Sequence, residues 1–231
     1  MENLLSKVRN KFRNCDHPIV YNFTEALKSI IISDLLLGSP SSSSNCEADE
    51  TLFPPLSLCS DIFPASRKST VPPCVLRSHF SAHLPTHSSS VHVYTDGSKS
   101  SDSSGCAVLF PDMTFRYRLP PQASVLATEL SAILFALRRI FRLSAASYTV
   151  FTDSRSSLSL LSTSPSPHPL VRDIQDWLFR LSSRRKLVRF CWVPSHVGIP
   201  GNVAVDSLAH EALTLSNLCF SSLPVSDYHP F

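Results

Sequence analysis

The sequence predicts an α/β protein, a mixed sheet with helices on its faces. From about residue 90 an apolar hairpin is followed by alternating strand-like and helix-like segments, the pattern of sheets covered by helices. Apolar residues make up 43% of the 231 residues, enough for one ordinary domain with an extension, or for two small domains. The formal net charge of +3 permits a nucleic-acid partner without arguing for one. Seven scattered cysteines (Cys15, Cys46, Cys59, Cys74, Cys106, Cys191, Cys219) form no C-x-x-C pair. That spacing speaks against a zinc ribbon or a disulfide framework and fits a reducing compartment. The first residues are polar and charged, and the apolar run Ser29 to Gly38 is broken by Ser33 and Asp34. It is too short to span a bilayer, so the expectation is an intracellular protein without a membrane partner. Nucleus and cytoplasm are not distinguished, and oligomeric state has no visible signature.

Residues 1–37 read as a helical extension. Leu4, Leu5, Val8 and Phe12 fall near a 3.6-residue period, and Leu27, Ile30, Ile31 and Leu35 repeat it between Thr24 and Leu37. Residues 38–89 are rich in Ser and Pro and read as a largely disordered linker, since such composition cannot offset its ordering entropy. His79, His83 and His87 would stack on one helix face, but Pro85 interrupts that helix and no acidic or cysteine partner lies near. The spacing is read as coincidence.

The compact domain is expected over residues 90–216, with 217–231 as a tail. Its strands are Val91 to Thr95, Gly105 to Phe110, Met113 to Leu119, Tyr148 to Thr152 and Leu187 to Val193. The clearest helix runs from Ala123 to Phe141, with Leu126, Leu130, Ile133, Leu134, Leu137 and Ile140 as its stripe. A short helix follows Asp153-Ser154, another runs from Leu170 to Leu181, and a last one from Asn202, an N-cap candidate, to Leu215.

Four acidic residues stand out against this frame. Asp96 and Asp153 each follow an aromatic-Thr strand ending, Glu129 sits on the shoulder of a buried helical stripe, and Asp206 lies one turn into the last helix. Neighbouring carboxylates repel unless a cation or proton lies between them, so a shared rim suggests a metal site. Taken singly, each Asp could instead cap a turn or helix, and Glu129 could reach around to solvent. Phosphodiester hydrolysis through two metals about 4 Å apart needs such a set. Hard oxygen ligands without Cys or His favour Mg2+ over zinc, with Mn2+ as a substitute.

The order and context of these residues resemble the type 1 ribonuclease H family. The matching pieces are Tyr94-Thr95-Asp96-Gly97-Ser98, Ala127-Thr128-Glu129-Leu130, Phe151-Thr152-Asp153-Ser154 and Trp192-Val193-Pro194-Ser195-His196, then Gly201-Asn202 and Asp206. Within that family the wording is most like the domains of non-LTR retrotransposon polyproteins. The resemblance implies a five-stranded mixed sheet flanked by helices and cleavage of the RNA strand of RNA–DNA hybrids. By position it implies that Asp96 bridges two metals, that Glu129 and Asp153 ligate one, and that Asp206 completes the second. It assigns His196 to water activation or product departure. It also implies RNA-strand contacts from Gly97 and Ser98, a shaping role for Asn202, and recognition through 2′-hydroxyls and backbone.

The sequence departs from many members in one respect. No room exists between Leu170 and Leu187 for a basic helix-loop protrusion, which leaves Arg184, Arg185 and Lys186 as candidate phosphate contacts or as a solvated turn. The expectation is weak binding by the isolated domain, with a reverse transcriptase domain in cis or trans as the partner. Residues 1–37 would then be a remnant of the segment joining that domain. Two other readings stay open: a catalytically silent nucleic-acid-binding module that keeps the fold, and a DNA-cutting or RNA-trimming nuclease of the same superfamily.

Overall fold

The computed structural model describes residues 56–59, 71–84, 89–163, 166 and 168–219. The expected helices of residues 1–37 lie outside the described residues, as does the tail beyond Cys219. Six strands form one sheet: β1 (Leu58–Cys59), β2 (Val91–Lys99), β3 (Ser104–Leu109), β4 (Thr114–Leu119), β5 (Ser147–Thr152) and β6 (Leu187–Trp192). Their spatial order is β1-β6-β5-β2-β3-β4. The pairs β1–β6, β6–β5 and β5–β2 are parallel, whereas β2–β3 and β3–β4 are antiparallel. The helices are α1 (Pro73–His83), α2 (Val125–Ile140), α3 (Arg155–Leu161), α4 (Pro169–Ser183) and α5 (Pro200–Ala212). The mixed sheet is as expected, but it has a sixth strand. No helix among the described residues is long and apolar enough to cross a membrane.

That sixth strand and α1 both fall within residues 38–89, the segment whose composition reads as a Ser/Pro-rich linker. Leu58 and Cys59 pair with Phe190 and Cys191, and Pro73 opens a helix that buries Leu76 and Phe80. Pro at the first helical position costs no hydrogen bond, so the Pro72-Pro73 pair starts α1 and does not exclude structure. Average Ser/Pro content conceals an i, i+4 apolar pair of this kind.

The sheet divides the core in two. On one side, α2 and α4 bury Leu130, Ile133, Leu134, Leu137, Leu170, Val171 and Ile174 against Val93, Cys106, Val108, Val150 and Phe190. On the other side, α1 covers Phe151, Cys191 and Val193, while α5 lays Val205 and Ala209 on Ala107 beside Tyr94. The stripe of α2 is fully enclosed because both the sheet and α4 pack on it. Ser124 caps α2 by accepting from the Ala127 amide at 3.0 Å. Lys99, the last residue of β2, donates to the carbonyls of Pro121 at 2.8 Å and Ala123 at 2.6 Å. The loop into α2 is thereby tied to the strand on which the helix lies.

Two close approaches need glycine. A Cβ on Gly97 would stand 2.5 Å from Thr128 Oγ1 and 2.6 Å from the Glu129 amide nitrogen, inside contact distance of the α2 backbone. A Cβ on Gly201 would lie 2.3 Å from the Tyr94 ring, which stacks on Phe151 at a centroid distance of 4.9 Å. Helices α2 and α5 therefore approach β2 at its middle, where side chains on the strand or helix would hold them off. Gly97→Ala is expected to lower stability by about 1–3 kcal/mol, the usual cost of overpacking, because the obstacle is backbone and cannot rotate away. Urea denaturation checks this; an unchanged midpoint would contradict the close approach.

Candidate metal centre

Asp96 comes from β2, Glu129 from the second turn of α2 and Asp153 from the residue after β5. Each offers an oxygen, and the three lie within 4.8 Å of one another. The sequence suggested Asp96 at a strand end; it lies instead within β2, which continues to Lys99 by pairing with β3. Thr95 is the last β2 residue paired with β5, opposite Thr152. The cluster thus forms where β5 stops and β2 runs on, so that Asp96 and Asp153 meet at one step of the parallel register. The capping alternative does not hold for Asp153, since Ser154 caps α3 through the Ser157 amide at 3.3 Å. Nor does Glu129 reach solvent: it is only 8% exposed.

Burial raises the Glu129 carboxyl well above the usual carboxylate range, and the Asp96 and Asp153 charges push it further. The same causes, burial first and then Asp153 and Asp206, raise Asp96 to about 8. The Gly97 amide opposes this at both residues by hydrogen-bonding their carboxylates. Glu129 Oε2 is buried and finds no donor among the described residues. A buried, unpaired carboxylate oxygen facing two other carboxylates is a poor arrangement for protein alone and a good one around a cation. The all-oxygen donor set fits a hard divalent ion.

The other sequence-derived residues separate into two groups. Asp206, on the second turn of α5, is near enough to Asp96 to help raise its pKa, and its half-exposed side chain lies 3.8 Å from His196 Nδ1. Asn202 is buried and donates from Nδ2 to Asp153 Oδ2 at 3.4 Å, so it braces the cluster directly. It is not the N-cap of α5: Ile199 holds that position and Pro200 begins the helix. Gly97 and Ser98 lie on β2 beside Asp96, but the close approach at Gly97 is to the chain's own helix.

Arg184, Arg185 and Lys186 lie elsewhere. They precede Leu187, which pairs with Ser147 at the start of β5, five residues before the end that carries Asp153. At ~3.3 Å per residue that is the opposite rim of the sheet. Arg184 rests on the Phe141 ring at 3.7 Å. Lys186 donates to the carbonyls of Ile140, Leu143 and Ala145, which closes the C-terminal end of α2. Burial and the neighbouring Arg184 lower its pKa. The Lys186 ammonium, read from the sequence as a phosphate contact or a solvated turn, is here engaged by the fold. Nothing in the local sequence marks that role, since its acceptors come from a distant helix end.

Arg155, by contrast, was not singled out from the sequence. Its guanidinium stacks on Trp192 at 3.7 Å, and Trp192 Nε1 donates to the Asp153 carbonyl at 3.1 Å. The available signal was a cation two residues after Asp153.

Fold and cluster together define an α/β domain with an acidic site suited to divalent cations. The RNase H family model matches residues 88–214, more than half of the chain, and the chain belongs to that family. Membership supports a hydrolase of the ribonuclease H type acting on RNA–DNA hybrids.

Two outcomes are expected. Asp96 has a folded-state pKa of about 8 against an ordinary 3.8, so the metal-free folded state binds the extra proton. Its contribution is fully present below the ordinary value and is lost as pH rises through about 8. Asp96→Asn is therefore expected to stabilise the metal-free protein relative to wild type, clearly at pH 8 and little at pH 4. Chemical denaturation in EDTA at the two pH values measures the gap, and a gap that narrows with pH would contradict the assignment. Lys186→Ala is expected to cost about 1–3 kcal/mol by leaving carbonyls unpaired, with hybrid affinity unchanged in a gel-shift titration.

Proposed function

We propose that this protein is a divalent-metal-dependent endonuclease that hydrolyses the RNA strand of RNA–DNA hybrids with two metal ions. The observation that carries the reading is the set of three carboxylates within 4.8 Å of one another, one with a buried oxygen that no described residue satisfies. Asp96, Glu129, Asp153 and Asp206 would hold two Mg2+, or Mn2+ in their place. When bound, the ions supply activation of the attacking water and stabilisation of the departing oxygen.

The chain's own side chains supply the rest. Asn202 restrains Asp153 through its 3.4 Å hydrogen bond, and Gly97 directs its amide at Asp96 and Glu129. His196 turns Nδ1 towards Asp206, which orients the ring and leaves Nε2 for proton exchange at the departing oxygen. Its side chain is 79% exposed, as a group that meets substrate must be. Gly97 and Ser98 line the approach of the RNA backbone, and Arg155 on its Trp192 platform adds a cation for phosphate.

The test is cleavage of an end-labelled RNA–DNA hybrid by the full chain in Mg2+ and in EDTA. Only the RNA strand should be cut, EDTA should abolish cutting, and Asp153→Asn should reduce it at least about 100-fold, the scale of losing one preorganised electrostatic partner. Cleavage that survives EDTA or the substitution would overturn the mechanism. A folded chain that binds Mg2+ in calorimetry yet cuts nothing would favour the silent nucleic-acid-binding module.

We further infer a non-LTR retrotransposon origin and intracellular action, supported by the wording of the motifs around Asp96, Glu129, Asp153 and His196. The direct turn from α4 into β6 leaves no basic protrusion to grip a hybrid, which supports delivery of substrate by a reverse transcriptase domain. Tethering such a domain should lower KM for the hybrid, and an unchanged KM would count against that partner.

A further inference from the structure

Helix α1 lies wholly before residue 88, where the family match begins, yet it reaches the loop that carries His196. Leu76 and Phe80 from α1 pack in one buried cluster with Val197 and Ile199 from the loop. Between them, Arg77 Nη1 donates to the Val197 carbonyl at 2.8 Å, across 120 residues of sequence. The arginine stem also covers Gly198, whose φ is +84°: a Cβ there would stand 3.1 Å from Arg77 Nη1 and 3.4 Å from its Cδ.

This anchoring meets a strained backbone. His196 has φ 57°, in the left-handed region that a residue with a Cβ occupies only when its surroundings impose it. Its imidazole is mostly exposed, so packing of the ring does not hold it. The next three residues supply the restraint. Val197 and Ile199 are buried, and the carbonyl between His196 and Gly198 is taken by Arg77. Relaxing His196 to an ordinary backbone angle would swing the ring away from Asp206 and pull Val197 from the cluster.

We propose that α1 is a clamp on the His196 loop and that Arg77 is a positioning residue for His196. The clamp holds the loop whether or not the chain cleaves RNA; its effect on rate rests on the ribonuclease reading above. Arg77 sits on the exposed side of α1, so replacing it leaves the Leu76 and Phe80 packing in place.

Hydrogen exchange and hybrid-cleavage kinetics on the full chain test this together, for wild type, Arg77→Ala and Arg77→Lys. In Arg77→Ala, exchange of the amides of residues 195–199 should speed up about tenfold, as expected for one lost hydrogen bond. Under the ribonuclease reading kcat should fall about tenfold, with KM and Tm nearly unchanged. Arg77→Lys keeps a donor and should recover most of both. Unchanged exchange in residues 195–199, or loosening spread evenly over the domain, would overturn the clamp. A loosened loop with unchanged kcat would overturn the positioning role. If the loop loosens in Arg77→Ala while even wild type cuts no hybrid, the clamp stands and the ribonuclease reading falls.

Discussion

Helix α2 crosses β2 at a point where the strand has no side chain, and the position of Glu129 depends on it. With Gly97 beneath Thr128 and Glu129, the helix settles onto the strand and carries a carboxylate into the interior beside Asp96. That placement opposes its own charge, since burial and neighbouring carboxylates both disfavour ionisation. The opposing force is the rest of α2. Leu130, Ile133, Leu134 and Leu137 are fully buried, and each such burial contributes about 1.5–3 kcal/mol. Together they outweigh the several kcal/mol that an awkward carboxylate costs. The helix is held by its apolar stripe, and the acidic residue goes where the stripe puts it.

The second wall of the site is set by aromatic packing. Gly201 admits the Tyr94 ring against the first turn of α5, and Tyr94 stacks on Phe151. From that seat, Asn202 reaches Asp153 and Asp206 comes near Asp96. The site is therefore a junction of five elements, each fixed by packing on the sheet: β2 and β5 from within it, α2 from one face, α5 and the His196 loop from the other. Side chains with no evident task in the sequence take up this framing work, Lys99 at the entry to α2 and Lys186 at its exit.

Much of this was legible in the sequence because it is local. The strand alternation, the stripe of α2 and the aromatic-Thr-Asp endings each fit within a few residues, and the odd shoulder position of Glu129 marked it as needing a partner. Pairings across the chain escaped. β1 is two residues long, too short for any period to register, and it is a strand only because Phe190 and Cys191 lie alongside. α1 was hidden by the Ser and Pro around it. Asp96 reads as a strand end because the parallel pairing with β5 does end there; the antiparallel pairing with β3 that carries β2 onward cannot be seen from residues 91–98 alone. Asn202 looked like a helix cap because Asn commonly is one, whereas Pro200 had already started the helix. The side chain was then free to face the cluster.

The parallel edge of the sheet has a consequence for how the chain folds. β1 and α1 emerge early in synthesis, but their partners, β6 and the loop after it, lie near the far end of the described chain. The hairpin of β2, β3 and β4 with α2 can assemble from neighbouring segments, while the edge must wait for a long loop to close. Until then Leu76 and Phe80 have no cluster to enter, and Phe151 and Cys191 lack their cover. The acidic cluster can thus form on a half-built sheet before the histidine loop has its final shape. The loop that carries His196 thus depends on contacts of long sequence separation, whereas Asp96, Glu129 and Asp153 come from segments closer together in the chain.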